Sequence, residues 1–172
     1  KSTYDKVYIS LAWSGWGKVS AARAVTRILN SEKKIDFILF TGVAGAANSK
    51  LNQWDVLISD EVIQYDMDAT PIFERFVLPP LKKAKIKSNK ELNYWILNTL
   101  KRNSKKGLLK NFGNISTGLI ATGDSFITDK DKIDSLIKDI PGLQAIEMEG
   151  AAVAQVAEQE NIPWVIIRVI SD

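Results

Sequence analysis

"LQAIEMEGAAVAQVAEQENIPWVIIRVISD", residues 143–172, decides the reading of the fold. It opens on "LQAIEME", a mostly apolar run that reads as a strand. The alanine-rich "GAAVAQVAEQE" reads as a helix, and "PWVIIRVIS" as a second strand, apolar almost throughout. Such a strand belongs to a mainly parallel sheet covered on both faces. Glu147 and Glu149 stand at the first junction. Alternation along a strand points both to one side and Met148 to the other. A carboxylate costs several kcal/mol to bury unless something pairs with it. A helix dipole accounts for Glu149, but not for Glu147, which stands inside the strand.

The alternation continues toward the N-terminus. "KVYISLAW" (6–13) is a strand candidate. "GKVSAARAVTRILN" (17–30) is a helix, with Val19, Ala22, Val25 and Ile28/Leu29 at helical spacing. "DFILFT" (36–41) is a short strand ended by the glycine-rich "GVAGAA". "DVLISDEVIQYD" (55–66) is a strand that runs long or bends, and 67–87, with Pro71, Pro79 and Pro80, is a long loop. "SNKELNYWILNTLK" opens on a capping box, Ser88 and Glu91, and puts Leu92, Trp95, Ile96, Thr99 and Leu100 on one face. "NISTGLIAT" (114–122) is a strand. "DKDKIDSLIKDI", capped by Thr128 or Asp129, is a helix with Ile133, Leu136, Ile137 and Ile140 inward. The expected fold is α/β: a three-layer sandwich, its central mixed, mainly parallel sheet flanked by helices. One domain is expected over residues 1–172.

Composition narrows the chemistry. The chain has 172 residues, 45% hydrophobic and 25% charged, which suits one globular domain. The net charge of +3 is too small, and the lysines too scattered, for a nucleic-acid partner. The densest basic run, "LKKAKIKSNK" (81–90), reads as a solvated loop leading into a helix. Cysteine and histidine are both absent, so a zinc site, a thiol nucleophile and a Ser–His triad are close to excluded. Acid–base work falls to Asp, Glu, Lys or Tyr. No stretch is long enough to span a membrane and no signal peptide is visible, so a cytoplasmic location is expected. The sequence begins without Met at a strand and stops just after one, like the middle of a longer chain.

In folds of this kind ligands collect at the carboxyl ends of strands. "TGVAG" (41–45) stands at one such end. It is either a tight turn or a backbone cradle for a ligand, and matches neither the Walker pattern nor GxGxxG. "TGDSF" (122–126) is either an ordinary turn before a helix or a loop offering a phenyl ring and backbone amides to a flat ligand. Asp172, after Ser171, is either a helix N-cap or a general acid whose pKa burial raises.

Together these segments carry a resemblance. "SGWGKVSAA", "TGVAGAA", "DVLISDEVIQYDMDAT", "ATGDSF", "AIEMEGAAVAQVA" and "VIIRVISD" follow one another in an order that resembles the nucleoside phosphorylase/nucleosidase superfamily. Within it the chain is most similar to the 5′-methylthioadenosine/S-adenosylhomocysteine nucleosidase family. The resemblance covers essentially all of the chain, and "EMEGAA" followed by R-x-I-S-D is its most specific part.

The resemblance implies hydrolysis of the N-glycosidic bond of 5′-thioadenosines, in methionine salvage, with no metal or organic cofactor. Glu149 would hold the ribose 2′- and 3′-hydroxyls, a match for one bidentate acceptor. Asp172 would protonate the purine N7, with Ser171 orienting it. Phe126 would stack on the purine and the Ile127 backbone would read its edge. Met148 would pack beneath the sugar, and Glu147 belongs with it to the implied substrate-binding set. Val43 and Gly45 of the glycine loop complete the implied binding set, with Trp16 near the 5′ substituent. Phosphorylases of the superfamily carry a phosphate-binding arginine where Phe40 stands, so the implied nucleophile is water. The implied assembly is a homodimer in which the apolar 66–80 loop of one subunit covers the other's site. The family also has a strand and a water-activating glutamate before the present residue 1, and a helix after S-D. Val43 stands where some members have serine, and Tyr65 where many have histidine. The alternatives are a hydrolase for aminodeoxyfutalosine or another purine nucleoside, and a catalytically dead nucleoside-binding relative.

Overall fold

The computed structural model describes residues 8–32 and 34–172. Its elements are α1 (Lys18–Ser31), β1 (Ile38–Ala46), β2 (Val56–Gln64), β3 (Lys85–Lys87), α2 (Lys90–Lys105), β4 (Ile115–Thr122), α3 (Lys130–Asp139), β5 (Leu143–Glu147), α4 (Gly150–Gln159) and β6 (Trp164–Ile170). The strands form one mixed sheet in the order β3-β2-β4-β5-β1-β6. Its long ladders are parallel: β1 with β6, β2 with β4, and β4 with β5. The mixed, mainly parallel sheet flanked by helices is as expected. It also curls until β2 meets β6 in an antiparallel pairing, which closes the sheet on itself.

That curl depends on a short crossing. β5 meets β1 antiparallel through only two pairs, Gly45↔Ile146 and Ala46↔Ala145. β1 therefore does not stop at Thr41. It continues through the glycine loop, because β6 supplies ladder partners as far as Ala44↔Ile170. β2 shifts register between Ser59 and Glu61, the bend anticipated in "DVLISDEVIQYD".

The strand expected over 6–13 is not formed over residues 8–13, which are irregular and carry exposed Tyr8, Ile9, Leu11 and Trp13. Residues 6 and 7 lie outside the described residues. A strand is held by a neighbour's ladder, and none of the described strands pairs with this segment.

The helices keep their predicted spans with some faces rotated. In α1 the buried positions are Ala21 and Val25, while Val19 is exposed. α2 is capped by Asn89, whose side chain accepts from Leu92 N–H. Ser88, the expected cap, is buried and occupied elsewhere: it donates to the Asp60 carbonyl and accepts from the Asn93 amide. Trp95 lies on the solvent side of α2 and Ile96 on the core side. α3 is capped by Asp129, with Leu136 buried and Ile140 buried just past its end. α4 is the central helix. Its Ala151, Ala154 and Ala157 pack on Leu57, Ile120 and Ile166 of the sheet, while Ala152 and Val153 meet Ala21 and Val25 of α1. Alanines have little side chain to lose on ordering and allow close approach to the strands.

The 67–87 segment is a loop with one short strand, β3, at its end. Part of it folds onto its own chain: Leu78 is fully buried, and Met67 and Phe76 pack against core clusters. Ile72 is left exposed.

Candidate active site

Glu147 ends β5 and is buried with Arg168 of β6. Arg168 Nη2 lies 2.5 Å from Glu147 Oε2, and Nε donates to the same oxygen at 3.2 Å. Gly150 N–H donates to both carboxylate oxygens, at 2.9 and 2.8 Å, and Glu149 N–H to Oε2 at 3.1 Å. Thr122 Oγ1 donates to Oε1 and in turn accepts from Ala151 N–H. Glu147 thus neutralises Arg168 and caps the first turn of α4, where the helix dipole favours an anion. It was expected among substrate-binding residues. In the structure its oxygens accept from Arg168, Thr122 and the first amides of α4. The glycine loop serves the same pair: a Cβ on Gly42 would stand 2.9 Å from Arg168 Nη1. Phe40, one step earlier on that face, lies with its ring 4.4 Å from the guanidinium carbon.

The expectation that Glu147 and Glu149 share one face of a strand does not hold. β5 ends at Glu147, and Glu149 is already the residue before α4. Glu149 is half-buried, and its Oε1 accepts from Gly17 N–H at 2.8 Å. Burial pushes its carboxyl above the ordinary glutamate range, and the nearby Glu147 charge adds to the rise. The Gly17 N–H bond, the Arg168 charge and the Met148 N–H work against it. A half-buried carboxylate with one oxygen anchored can accept from two neighbouring hydroxyls.

Ser171 and Asp172 follow β6. Ser171 N–H donates to the Ala44 carbonyl, and Asp172 accepts Ala46 N–H on its carbonyl at 3.1 Å. Both residues are therefore strapped to β1. Ser171 Oγ donates to Asp172 Oδ1 at 2.5 Å, which leaves Oδ2 for a ligand. A Cβ on Gly45 would stand 3.6 Å from the Asp172 carboxylate, so Gly45 lies directly beside it. Asp172 is exposed.

The remaining expected residues lie in the segments that gather here. Phe126 is 79% exposed. Ile127 anchors its loop by packing against the core next to α3. Val43 and Trp16 are exposed apolar side chains, and Met148 is half-buried between the two glutamates. Tyr65 supports the "TGDSF" loop: its hydroxyl donates to the Ser125 carbonyl, and its ring lies over Gly123. Sequence reasoning missed Thr122, Gly17 and the structural use of Arg168. A charged residue within "VIIRVI" was the available signal for Arg168, because a cation in a buried strand needs a buried anion.

The profile of the Phosphorylase superfamily matches residues 1–172. A 5′-methylthioadenosine/S-adenosylhomocysteine nucleosidase of a Geobacillus species is 40% identical over 164 residues, covering 95% of this chain and 67% of the relative. The crystal structure of the nucleosidase of that name from Neisseria meningitidis, in complex with methylthio-immucillin-A, superposes with a TM-score of 0.80 at 33% identity, over 92% of this chain and 65% of that one. The Colwellia psychrerythraea nucleosidase, in complex with adenine, gives a TM-score of 0.77 at 34% identity, over 92% of this chain and 63% of that one. The chain spans about two thirds of the length of these relatives. It belongs to the phosphorylase superfamily and, within it, to the 5′-methylthioadenosine/S-adenosylhomocysteine nucleosidases.

Proposed function

We propose that this protein hydrolyses the N-glycosidic bond of 5′-methylthioadenosine and S-adenosylhomocysteine, releasing adenine and the thioribose. Glu149 accepts hydrogen bonds from the ribose 2′- and 3′-hydroxyls, with Met148 packed beneath the sugar. Asp172 donates a proton to the purine N7 while the Ser171 hydroxyl holds its other oxygen. Phe126 stacks on the purine, and the Ile127 backbone reads its edge. Trp16 and Val43 face the 5′ thioether, which apolar surfaces suit. As the C–N bond stretches the ribose gains positive charge, which the Glu149 carboxylate stabilises, and adenine leaves as a neutral base. A positioned general acid contributes about 10²–10⁴-fold.

Water as the nucleophile rests on one observation. By the resemblance, Phe40 stands where phosphorylases of the superfamily carry a phosphate-binding arginine; in the structure its ring lies against Arg168, whose guanidinium is buried and committed to Glu147. That pair leaves neither residue for a phosphate. The protein works in the cytoplasm as a single nucleosidase domain, and as a homodimer whose 66–80 loop covers the partner's 5′ pocket. The exposed Ile72 in that loop supports the assembly.

The test follows adenine release from a nucleoside panel, with and without phosphate. Release from both thioadenosines at equal rates in either buffer is expected. A phosphate requirement with a ribose 1-phosphate product overturns the hydrolase reading. Asp172→Asn is expected to lose nearly all turnover while binding substrate, since an amide accepts and donates hydrogen bonds but is no acid.

A further inference from the structure

The α1 N-terminus is held by carboxylates from far along the chain. Gly17, the residue before the helix, has φ +84°, and α1 has no side-chain cap of its own. Gly17 N–H donates to Glu149 Oε1 at 2.8 Å, and the next amide, Lys18 N–H, donates to Asp124 Oδ1 at 2.8 Å. Lys18 Nζ reaches Asp66 Oδ1 at 2.6 Å and Asp124 Oδ2 at 3.7 Å. Asp124 N–H closes the ring on Asp66 Oδ2 at 3.0 Å. A Cβ on Gly17 would stand 3.1 Å from Asp124 Oδ1, in a backbone conformation that side chains rarely adopt.

The ring joins three segments: the turn before α1, the exit of β2 and the loop after β4. Its ion pairs are partly exposed, and pairs of that kind are weak as stability devices. Their connections are more telling. Two successive amides of one turn hold Glu149 and Asp124, and Asp124 lies two residues before Phe126. Among the described residues, Lys18 alone pairs with both aspartates. Without its charge they would stand close together with no cation between them, and the loop after β4 would lose its hold on the α1 turn.

We propose that Lys18, Asp66 and Asp124 are positioning residues that clamp the Gly17 amide against Glu149 and fix the Phe126 loop relative to it, so that ribose and purine are held in one geometry. The proposal rests on reading Glu149 as the ribose carboxylate. Misplacing a reacting group by about 1 Å costs on the order of 100-fold in rate, so a clamp of this kind acts on catalysis more than on folding.

The experiment uses the full-length protein with Lys18→Met, Lys18→Arg and Asp124→Asn. Three quantities are read: kcat/KM for 5′-methylthioadenosine and for its 2′-deoxy analogue, inhibition by adenine, and Tm. Lys18→Met is expected to lose about 10- to 100-fold in kcat/KM on the ribonucleoside. Its preference for the 2′-hydroxyl should narrow and its adenine affinity weaken, with Lys18→Arg recovering most of each. Lys18→Met and Asp124→Asn combined should lose little more than either alone. Wild-type 2′-hydroxyl preference and adenine affinity in Lys18→Met would overturn the proposal. So would an equal loss on both nucleosides that merely follows Tm. Amide exchange at Gly17 separates this from the functional reading. A wild type that releases no adenine removes the nucleosidase reading. The clamp then stands if Lys18→Met loses protection at Gly17 and falls if protection is unchanged.

Discussion

Arg168 Nη2 and Glu147 Oε2 lie 2.5 Å apart with both side chains almost entirely excluded from solvent. One charge enters from β6 and the other from the end of β5, and the anion also receives the first amides of α4. Removing one partner strands the other. Glu147→Gln or Arg168→Met is therefore expected to destabilise the protein by about 3–5 kcal/mol, and the double replacement by less than the sum. Urea unfolding of the three variants checks this, and additive losses would refute the coupling.

Glu149 carries a pH signature. Its carboxyl is held above the ordinary glutamate value of about 4.3, mainly by burial. In the proposed role it must be ionised, so kcat/KM should fall as pH drops through that raised value. Stability runs the other way. The folded state holds this proton more tightly than the unfolded chain. Its contribution is fully present below the unfolded value and lost as pH rises through the folded one. Glu149→Gln should flatten the stability profile in that window, which denaturant titrations across pH would detect.

Gly123 lies under the Tyr65 ring, where a Cβ would fall 2.2 Å from Tyr65 Cζ. Its N–H is also pinned to the Glu147 carbonyl at 3.1 Å, so the backbone has little freedom to retreat. Gly123→Ala is expected to cost about 1–3 kcal/mol and to weaken adenine binding through the Phe126 loop. Adding Tyr65→Ala should restore part of the adenine affinity. Calorimetry on the single and double variants decides it, and an unperturbed Gly123→Ala would show that the ring moves freely.

The 66–80 loop tests the assembly. Leu78 is committed to its own core, whereas Ile72 is exposed and Phe73 half-buried. In the proposed homodimer, Ile72→Asp and Phe73→Asp should each weaken association and raise KM for thioether substrates. Sedimentation at working concentration reads the first effect and steady-state kinetics the second. A fully active monomeric wild type would remove the dimer.

Local pattern in the sequence determined most of the elements. Continuous apolar runs such as "PWVIIRVI", and the inward Leu136 and Ile140 near the end of α3, follow from side-chain periodicity, which is a property of neighbours along the chain. The order of motifs around "EMEGAA" and "RVISD" likewise determined the family. What only the tertiary structure decided depends on partners distant in sequence. Glu147 reads like its neighbour Glu149 until Arg168, Thr122 and the α4 amides are seen to occupy it. Gly17 reads as a turn residue until its amide meets Glu149, 132 positions away. The segment 8–13 has the composition of a strand, but composition cannot supply the neighbouring ladder that a strand requires. Closure of the sheet rests on β2 reaching β6 and on two residue pairs between β1 and β5, contacts that no local periodicity encodes.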